Sequence, residues 1–440
     1  MSFRTGPVRV AVFAALFGLA GAASAATEIQ FWHSMTGALG DRVAGIADRF
    51  NKSQSDYKIV PVYKGSYPES MTAAIAAYRA KQAPHIVQVF EVGTATMMAA
   101  KGAVYPIYQL MADAAEPFDP KSYLPSVVGY YTTTKGEMLS FPFNSSTPVM
   151  YYNKNAFEKA GLDVNAPPKT WPELEGAAKK LLAAGYPCGF TTQWPSWIQI
   201  ENFSAWHNQP IGTLENGFAG LGTELVINKT KAVDHVAKLG EWQKSKIFDY
   251  GGRQGQSDPK FFNQQCPIQF ASSAAYASMK TNAKDFAWGI SRLPYWPDIE
   301  GAPQNSIIGG ASLWVLQGHP KDEYKGVAKF FTYASSPAVQ AWWHQETGYL
   351  PITTAAYELT KSQGFYEKNP GTETSILQIT NKTPTANSKG LRFGSFVQIR
   401  DIIEEELEIL FQGKKNAQEA LDSAAKRANE LIRQFEKANS

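Results

Sequence analysis

The chain has 440 residues, 44% hydrophobic and 13% aromatic, with 42 Lys and Arg against 39 Asp and Glu for a formal charge of +3. That apolar content supports well-packed cores, and the length alone anticipates two or three domains. A near-neutral balance supplies no bulk field for nucleic acid or an anionic membrane, so any anionic partner must be held by a local site.

The first segment carries Arg4 and Arg9, an apolar run from about Val10 to Ala20, and small residues ending Ala23-Ser24-Ala25. This is the three-part pattern of a secretory leader, with cleavage expected after Ala25. Its removal brings the formal charge from +3 to +1. The run is short for a bilayer span, and no later stretch is long and apolar enough. No Cys lies near the cleavage point to carry a lipid anchor, so an exported, periplasmic protein is expected. Cys188 and Cys266 are the two cysteines. In an oxidising compartment a pair suggests one disulfide, and the sequence leaves open whether they meet.

From Thr27 strands and helices alternate. "EIQFWHS", "YKIVPVYKG" and "HIVQVFEV" read as strands. Between them, Val43, Ile46, Ala47 and Phe50 form one helical face, and Met71, Ala74, Ile75 and Tyr78 another. Such alternation implies a parallel sheet whose ligands gather at the carboxyl ends of strands, here Trp32–Ser34, Lys64–Tyr67 and Phe90–Gly93. Phe141–Tyr152 reads as extended, with Pro142 and Pro148 limiting it to edge or crossing strands. Thr170 is a predicted N-cap with Pro172 in the first turn. "CPIQFASSAAYASMK" reads as a strand entering a helix at Ser272-Ser273, and "NSIIGGASLWVLQG" as a bulged strand around Gly309-Gly310. The tail from about Asn416 to Phe435 is amphipathic, and the acidic run Glu404–Glu406 is expected on a solvated helix face.

"TTQWPSWIQIENFSAW", Thr191–Trp206, holds three tryptophans. Trp194 precedes Pro195, which predicts extended backbone at Trp194 and a helix opening at Pro195. Both Trp194 and Trp197 then sit at a helix start, as packing or as a ligand platform, while Phe203 and Trp206 are expected in the core.

Catalytic signatures are missing. The six histidines show no metal-ligand spacing, and there is no H-E-x-x-H, G-x-S-x-G, phosphate-loop or C-x-x-C motif. A carboxylate-pair hydrolase carries no local signature and stays open.

Taken in order, "FWHSMTG", "VPVYKGSYPESM", "QVFEVGTATMMA", "PFNSSTPVMYYNKNAFEKAGLD", "PPKTWPEL", "WPSWIQIENFSAW", "NSIIGGASLWV" and "TGYLPITTAAY" resemble the extracellular solute-binding proteins of ABC uptake systems, across essentially the whole chain after the leader. The likeness is strongest to the branch that captures sn-glycerol-3-phosphate, with maltose-type binders sharing the more general markers. It implies an α/β fold of two lobes, the type II periplasmic binding fold, with the ligand cleft between lobes joined by crossing hinge segments. Mapped here, the leader is 1–25, one lobe 26–140 plus 307–352, and the other 144–303 plus 357–440.

The resemblance also implies ligand contacts at Tyr67, Glu91, Ser146, Trp194, Trp197, Ser272, Gly310, Tyr349 and Arg400, with no cofactor, metal or catalytic group. The implied partners are glycerol-3-phosphate or glycerophosphodiesters such as glycerophosphocholine, and the permease subunits at the inner membrane. The protein is expected to be a monomer that binds no nucleic acid. In chemical terms Arg400 is expected to clamp the phosphate. Ser146, Ser272, Tyr349 and the Gly310 amide would add neutral donors, with free amides at the helix opened by Ser272. Glu91 would face the glycerol hydroxyls at the opposite end. Rival expectations are an oligosaccharide receptor, which needs aromatic platforms but no cationic clamp, and a secreted phosphodiesterase.

Overall fold

The computed structural model describes residues 1–2, 25–100 and 102–439. The leader core expected over 3–24 lies outside the described residues. Among the described residues ten strands form two sheets. β1 (Thr27–His33), β2 (Tyr57–Tyr63) and β3 (Ile86–Phe90) are parallel, as their intervening helices require. The first of these helices, Gly37–Ser53, buries Val43, Ile46, Ala47 and Phe50 against the sheet. The second, Tyr67–Arg79, starts with a Ser66–Glu69 capping box and buries Met71 and Ala74. Ile75, expected on that face, is 37% exposed.

β4 (Val104–Tyr105) and β5 (Phe141–Ser146) belong to the same sheet. β6 (Pro148–Asn153), β7 (Phe190–Thr192), β8 (Ile268–Ser272) and β9 (Trp288–Ser291) form the second sheet, in the order β7-β8-β6-β9. The chain then returns to the first sheet as β10 (Gly309–Leu316), which lies antiparallel between β3 and β4 and also pairs with β5. Only Thr147 separates β5 from β6, so the chain changes sheet there. The expected edge or crossing strand holds for β5. It fails for β6, which is central, flanked by β8 and β9. Pro148 is tolerated because it is the first residue of that strand, where its missing N–H leaves most of the ladder intact.

The crossing segments touch. Thr147 Oγ1 donates to Ser306 Oγ, and the Leu350 amide donates to the Ser145 carbonyl at 2.8 Å. Thr170 caps the helix Trp171–Ala183 with Glu173 completing the box and Pro172 in its first turn. Cys188 and Cys266 are bonded across the β7–β8 pair, with Cα atoms 4.9 Å apart. The tail helix, Ala417–Asn439, buries Ala420, Leu421, Ala424, Ala428 and Ile432 against the helix Phe396–Phe411. The acidic run on that second helix is not a solvated face. Glu404 is 5% and Glu406 2% exposed, because Lys415 and Arg427 pair with Glu406 while Glu404 turns toward the interior. Among the described residues no helix is long and apolar enough to cross a membrane.

Candidate functional site

The carboxyl ends of β1, β3 and β5 and the start of β10 face the carboxyl ends of β7 and β8 across a cleft of about 640 Å³. All nine residues singled out in the sequence line it. Tyr67 opens a helix, Glu91 follows β3, Ser146 ends β5 and Gly310 stands in β10. From the other side come Ser272 at the end of β8 and Trp194 and Trp197 after β7, with Tyr349 on a crossing segment and Arg400 on the helix Phe396–Phe411.

The charged end differs from expectation. Arg400 and Glu91 are not at opposite ends of the cleft: Arg400 Nη2 donates to Glu91 Oε1 at 2.7 Å. A second carboxylate, Glu201, takes the guanidinium fork in two bonds, Nε to Oε1 at 2.9 Å and Nη2 to Oε2 at 2.7 Å. All three side chains are buried, Glu201 to 1% exposure. Burial opposes the charge on Arg400, but Glu201 and Glu91 outweigh it and hold the guanidinium protonated. Burial lifts the pKa of Glu91 above the usual carboxylate range, with Arg400 pulling it down and Glu201 pushing it up. Two carboxylates around one guanidinium make this end net acidic. A phosphate dianion beside it would meet repulsion on the order of 4 kcal/mol per unit pair at 4 Å. An Arg400–phosphate clamp would have to form against this repulsion. Arg400 Nη1 and Glu91 Oε2 remain without protein partners among the described residues. One donor beside one acceptor suits hydroxyl groups, each of which gives and takes a hydrogen bond.

Glu201 carries no signal in the sequence. It lies in the aromatic stretch, and what delivers it is a π-helix over Ser196–Asn202. In an α-helix residues five apart point about 140° away from each other. The wider turn brings Ser196 Oγ onto Glu201 Oε1 at 3.2 Å and swings the carboxylate to Arg400.

The rest of the cleft lining offers neutral groups. Ser146 Oγ makes no hydrogen bond among the described residues, and Ser272 Oγ only accepts, from the Ala274 amide at 3.2 Å. Tyr67 stacks on Phe90 and its hydroxyl accepts from Asn144 at 3.0 Å. Burial pushes Tyr349 up to about 12 and raises Tyr67 well above its ordinary value, so both hydroxyls keep their protons. Gly310 has φ +88°, and a Cβ there would stand 1.8 Å from the Asn144 carbonyl oxygen, so no other residue fits. Ser272 does pass the chain from strand into helix, but the free amides expected behind it are taken. The Ser273 amide donates to the Thr147 carbonyl and the Ala274 amide to Ser272 Oγ.

Trp194 is not extended. Its φ is +41°, and its amide donates to the Gln254 carbonyl at 2.9 Å. The preference imposed by Pro195 yields because the chain must reverse between β7 and the following helix, which does begin at Pro195. Trp194 is half-buried beside the cleft. Trp197 is 4% exposed and packs where a Cβ on Gly309 would be, 2.4 Å from its ring. Phe203 and Trp206 are buried core, as expected.

Behind the triad, burial pushes Glu404 up to about 7, despite Arg400 and Arg253 nearby. Two groups of potential metal ligands converge outside the cleft. In the first, His85, His319 and Glu323, the His85 Nδ1 accepts the Gln30 amide at 3.0 Å. Its Nε2 therefore carries the proton shared with Glu323 at 2.7 Å and has no lone pair for a metal. In the second, beside Asp249, both sulfurs belong to the disulfide.

Two lobes meeting at a cleft lined from both sides define a solute-binding protein. Residues 45–374 match the family of bacterial extracellular solute-binding proteins, and the chain belongs to that family. The sn-glycerol-3-phosphate-binding periplasmic protein UgpB of Yersinia pseudotuberculosis is 56% identical over 418 residues, 95% of each chain. That of Salmonella typhimurium is 54% identical over 420 residues, again 95% of each. Among solved structures, UgpB from Mycobacterium tuberculosis in complex with glycerophosphocholine superposes with TM-score 0.78 at 20% identity, covering 93% of this chain and 99% of that one. Maltose-bound MalE3 of T. maritima gives 0.73 at 18% identity, with 92% and 100% covered. These structural likenesses carry the fold, a maltose-binding-like two-lobed architecture.

Proposed function

We propose that this chain is the substrate-binding component of an ABC importer, which captures sn-glycerol-3-phosphate or a glycerophosphodiester in the periplasm and delivers it to the membrane permease. The observation that carries the reading is the polarity of the cleft. A buried Glu91–Arg400–Glu201 triad presents one free donor and one free acceptor among the described residues, and neutral hydroxyls line the same cleft. The glycerol diol fits the triad. The phosphate fits Ser146, Ser272, Tyr349 and the Gly310 backbone, where hydrogen bonds to a charged group are worth about 1.5–3 kcal/mol each. The names of the relatives, at 54–56% identity along almost the whole chain, support the same ligand class.

In this reading the lobes are 26–140 plus 307–352 and 144–303 plus 357–440, with the contacting segments at Thr147, Ser306 and Leu350 as hinges. Ligand contacts from both lobes favour the closed state, which docks on the permease, and no bond is broken. Titration of the purified protein with glycerol-3-phosphate, glycerophosphocholine, inorganic phosphate and maltose, followed by tryptophan fluorescence, tests it. Saturable changes with the first two and none with maltose are expected. A response to maltose alone would replace the reading with an oligosaccharide receptor, and turnover of glycerophosphocholine with an enzyme.

A further inference from the structure

Asp258 is a cleft-lining carboxylate that the ligand scheme above leaves unused. Its surroundings are unusual for an acid. Its Oδ1 accepts from two neutral side-chain amides, Gln193 Nε2 and, at 2.7 Å, Gln269 Nε2. Gln269 turns its amide there although its own Oε1 is then buried without a partner. Asp258 makes no ion pair among the described residues, and burial raises its pKa with no cation to offset the rise. Glu91, which also lines the cleft, and Glu201 behind it share a guanidinium. The second carboxylate oxygen of Asp258, Oδ2, has no protein partner among the described residues. A Cβ added to Gly255 would lie 3.3 Å from it.

Position gives this carboxylate a meaning. Gln193 spans the gap between Asp258 and Ser272: its Oε1 accepts the Ser272 amide at 3.1 Å while its Nε2 donates to Asp258. Asp258 is thus linked through one side chain to Ser272, one of the neutral groups assigned to the phosphate. Trp194 follows Gln193 in the chain and lines the same cleft. From the opposite wall, Asp41 on the helix Gly37–Ser53 also lines it. The cleft of about 640 Å³ is roomy for glycerol-3-phosphate alone. An acid with no cationic partner among the described residues, an aromatic side chain and a second acid on the opposite wall together fit a cation.

We propose that Asp258 recognises an ammonium or quaternary ammonium group on the alcohol esterified to the far side of the phosphate. The preferred ligands are then glycerophosphodiesters with a cationic alcohol, and Asp258 is a specificity residue. This rests on the ligand class proposed above and deepens it.

The test is calorimetric titration of the full chain and of D258N with glycerophosphocholine, glycerophosphoethanolamine and glycerophosphoglycerol, with glycerol-3-phosphate as reference. The wild type should bind the two cationic diesters at least tenfold more tightly than the neutral one, and D258N should bring that ratio close to one. If glycerol-3-phosphate binds but the wild type does not distinguish the diesters, the inference fails while the ligand class stands. A uniform loss in D258N with the ratio intact also overturns it, because Asp258 would then only brace Gln193 and Gln269. If no glycerol phosphate binds at all, the underlying ligand class falls and the inference with it. Should D258N not fold, the wild-type ratio alone decides.

Discussion

Glu201 does not line the cleft, yet it takes the guanidinium fork of Arg400 and leaves that side chain a single free nitrogen. Its removal should act on binding through orientation. We expect E201Q to weaken glycerol-3-phosphate binding tenfold or more by calorimetry and to lower stability by a few kcal/mol, as expected when one member of a buried ion cluster is lost. Glu404 gives a second prediction, of pH dependence. Its folded pKa of about 7 lies above that of an unfolded glutamate, mainly through burial. Native protein therefore holds more protons than unfolded protein between about pH 4.5 and 7. The contribution of Glu404 to stability is intact below that window and lost as pH rises through it. E404Q should raise the melting temperature at pH 8 and leave it nearly unchanged at pH 4.5, a difference on the order of 2–3 kcal/mol. An equal effect at both pH values would contradict the burial of a titrating carboxyl.

Elements place these groups, and they were unequally legible in the sequence. The first three strands and their helices could be read because apolar spacing is local: Val43, Ile46, Ala47 and Phe50 face the core wherever the sheet lies. The capped helix at Thr170 was legible for the same reason. The Arg400–Glu201 pair was not, since its members stand 199 residues apart and the register that joins them depends on a π-turn with no local signature. Trp194 was misread because a preference set by its neighbour Pro195 yielded to a reversal enforced by Gln254. The acidic run misled because charge alone does not say which side of a helix meets its partners. Two element-scale tests follow. Gly310→Ala should abolish ligand binding in the fluorescence titration and destabilise the fold by at least about 2 kcal/mol, through left-handed backbone and a clash with Asn144. The Cys188–Cys266 bridge closes a 78-residue separation, and the chain-entropy estimate for such a loop is about 4.5 kcal/mol at most. Chemical denaturation of the double serine variant should show a loss up to that size, with the midpoint moved and glycerol-3-phosphate binding retained in the absence of denaturant.

At the scale of the molecule, the two sheets share crossing segments and present matching strand ends to one cleft. A ligand touching Ser146 and Gly310 on one side and Ser272 on the other lowers the energy only of the conformation that brings both sides together. The radius of gyration from small-angle scattering should therefore fall on adding glycerol-3-phosphate and stay constant with maltose. In the proposed complex the guanidinium belongs to the diol end, neutralised by two carboxylates, and uncharged donors carry the phosphate. A crystal structure of the glycerol-3-phosphate complex addresses this directly. The account predicts phosphate density against Ser146, Ser272, Tyr349 and the Gly310 amide, with the diol on Glu91 and Arg400. Phosphate oxygens bonded to an Arg400 released from Glu201 would contradict it.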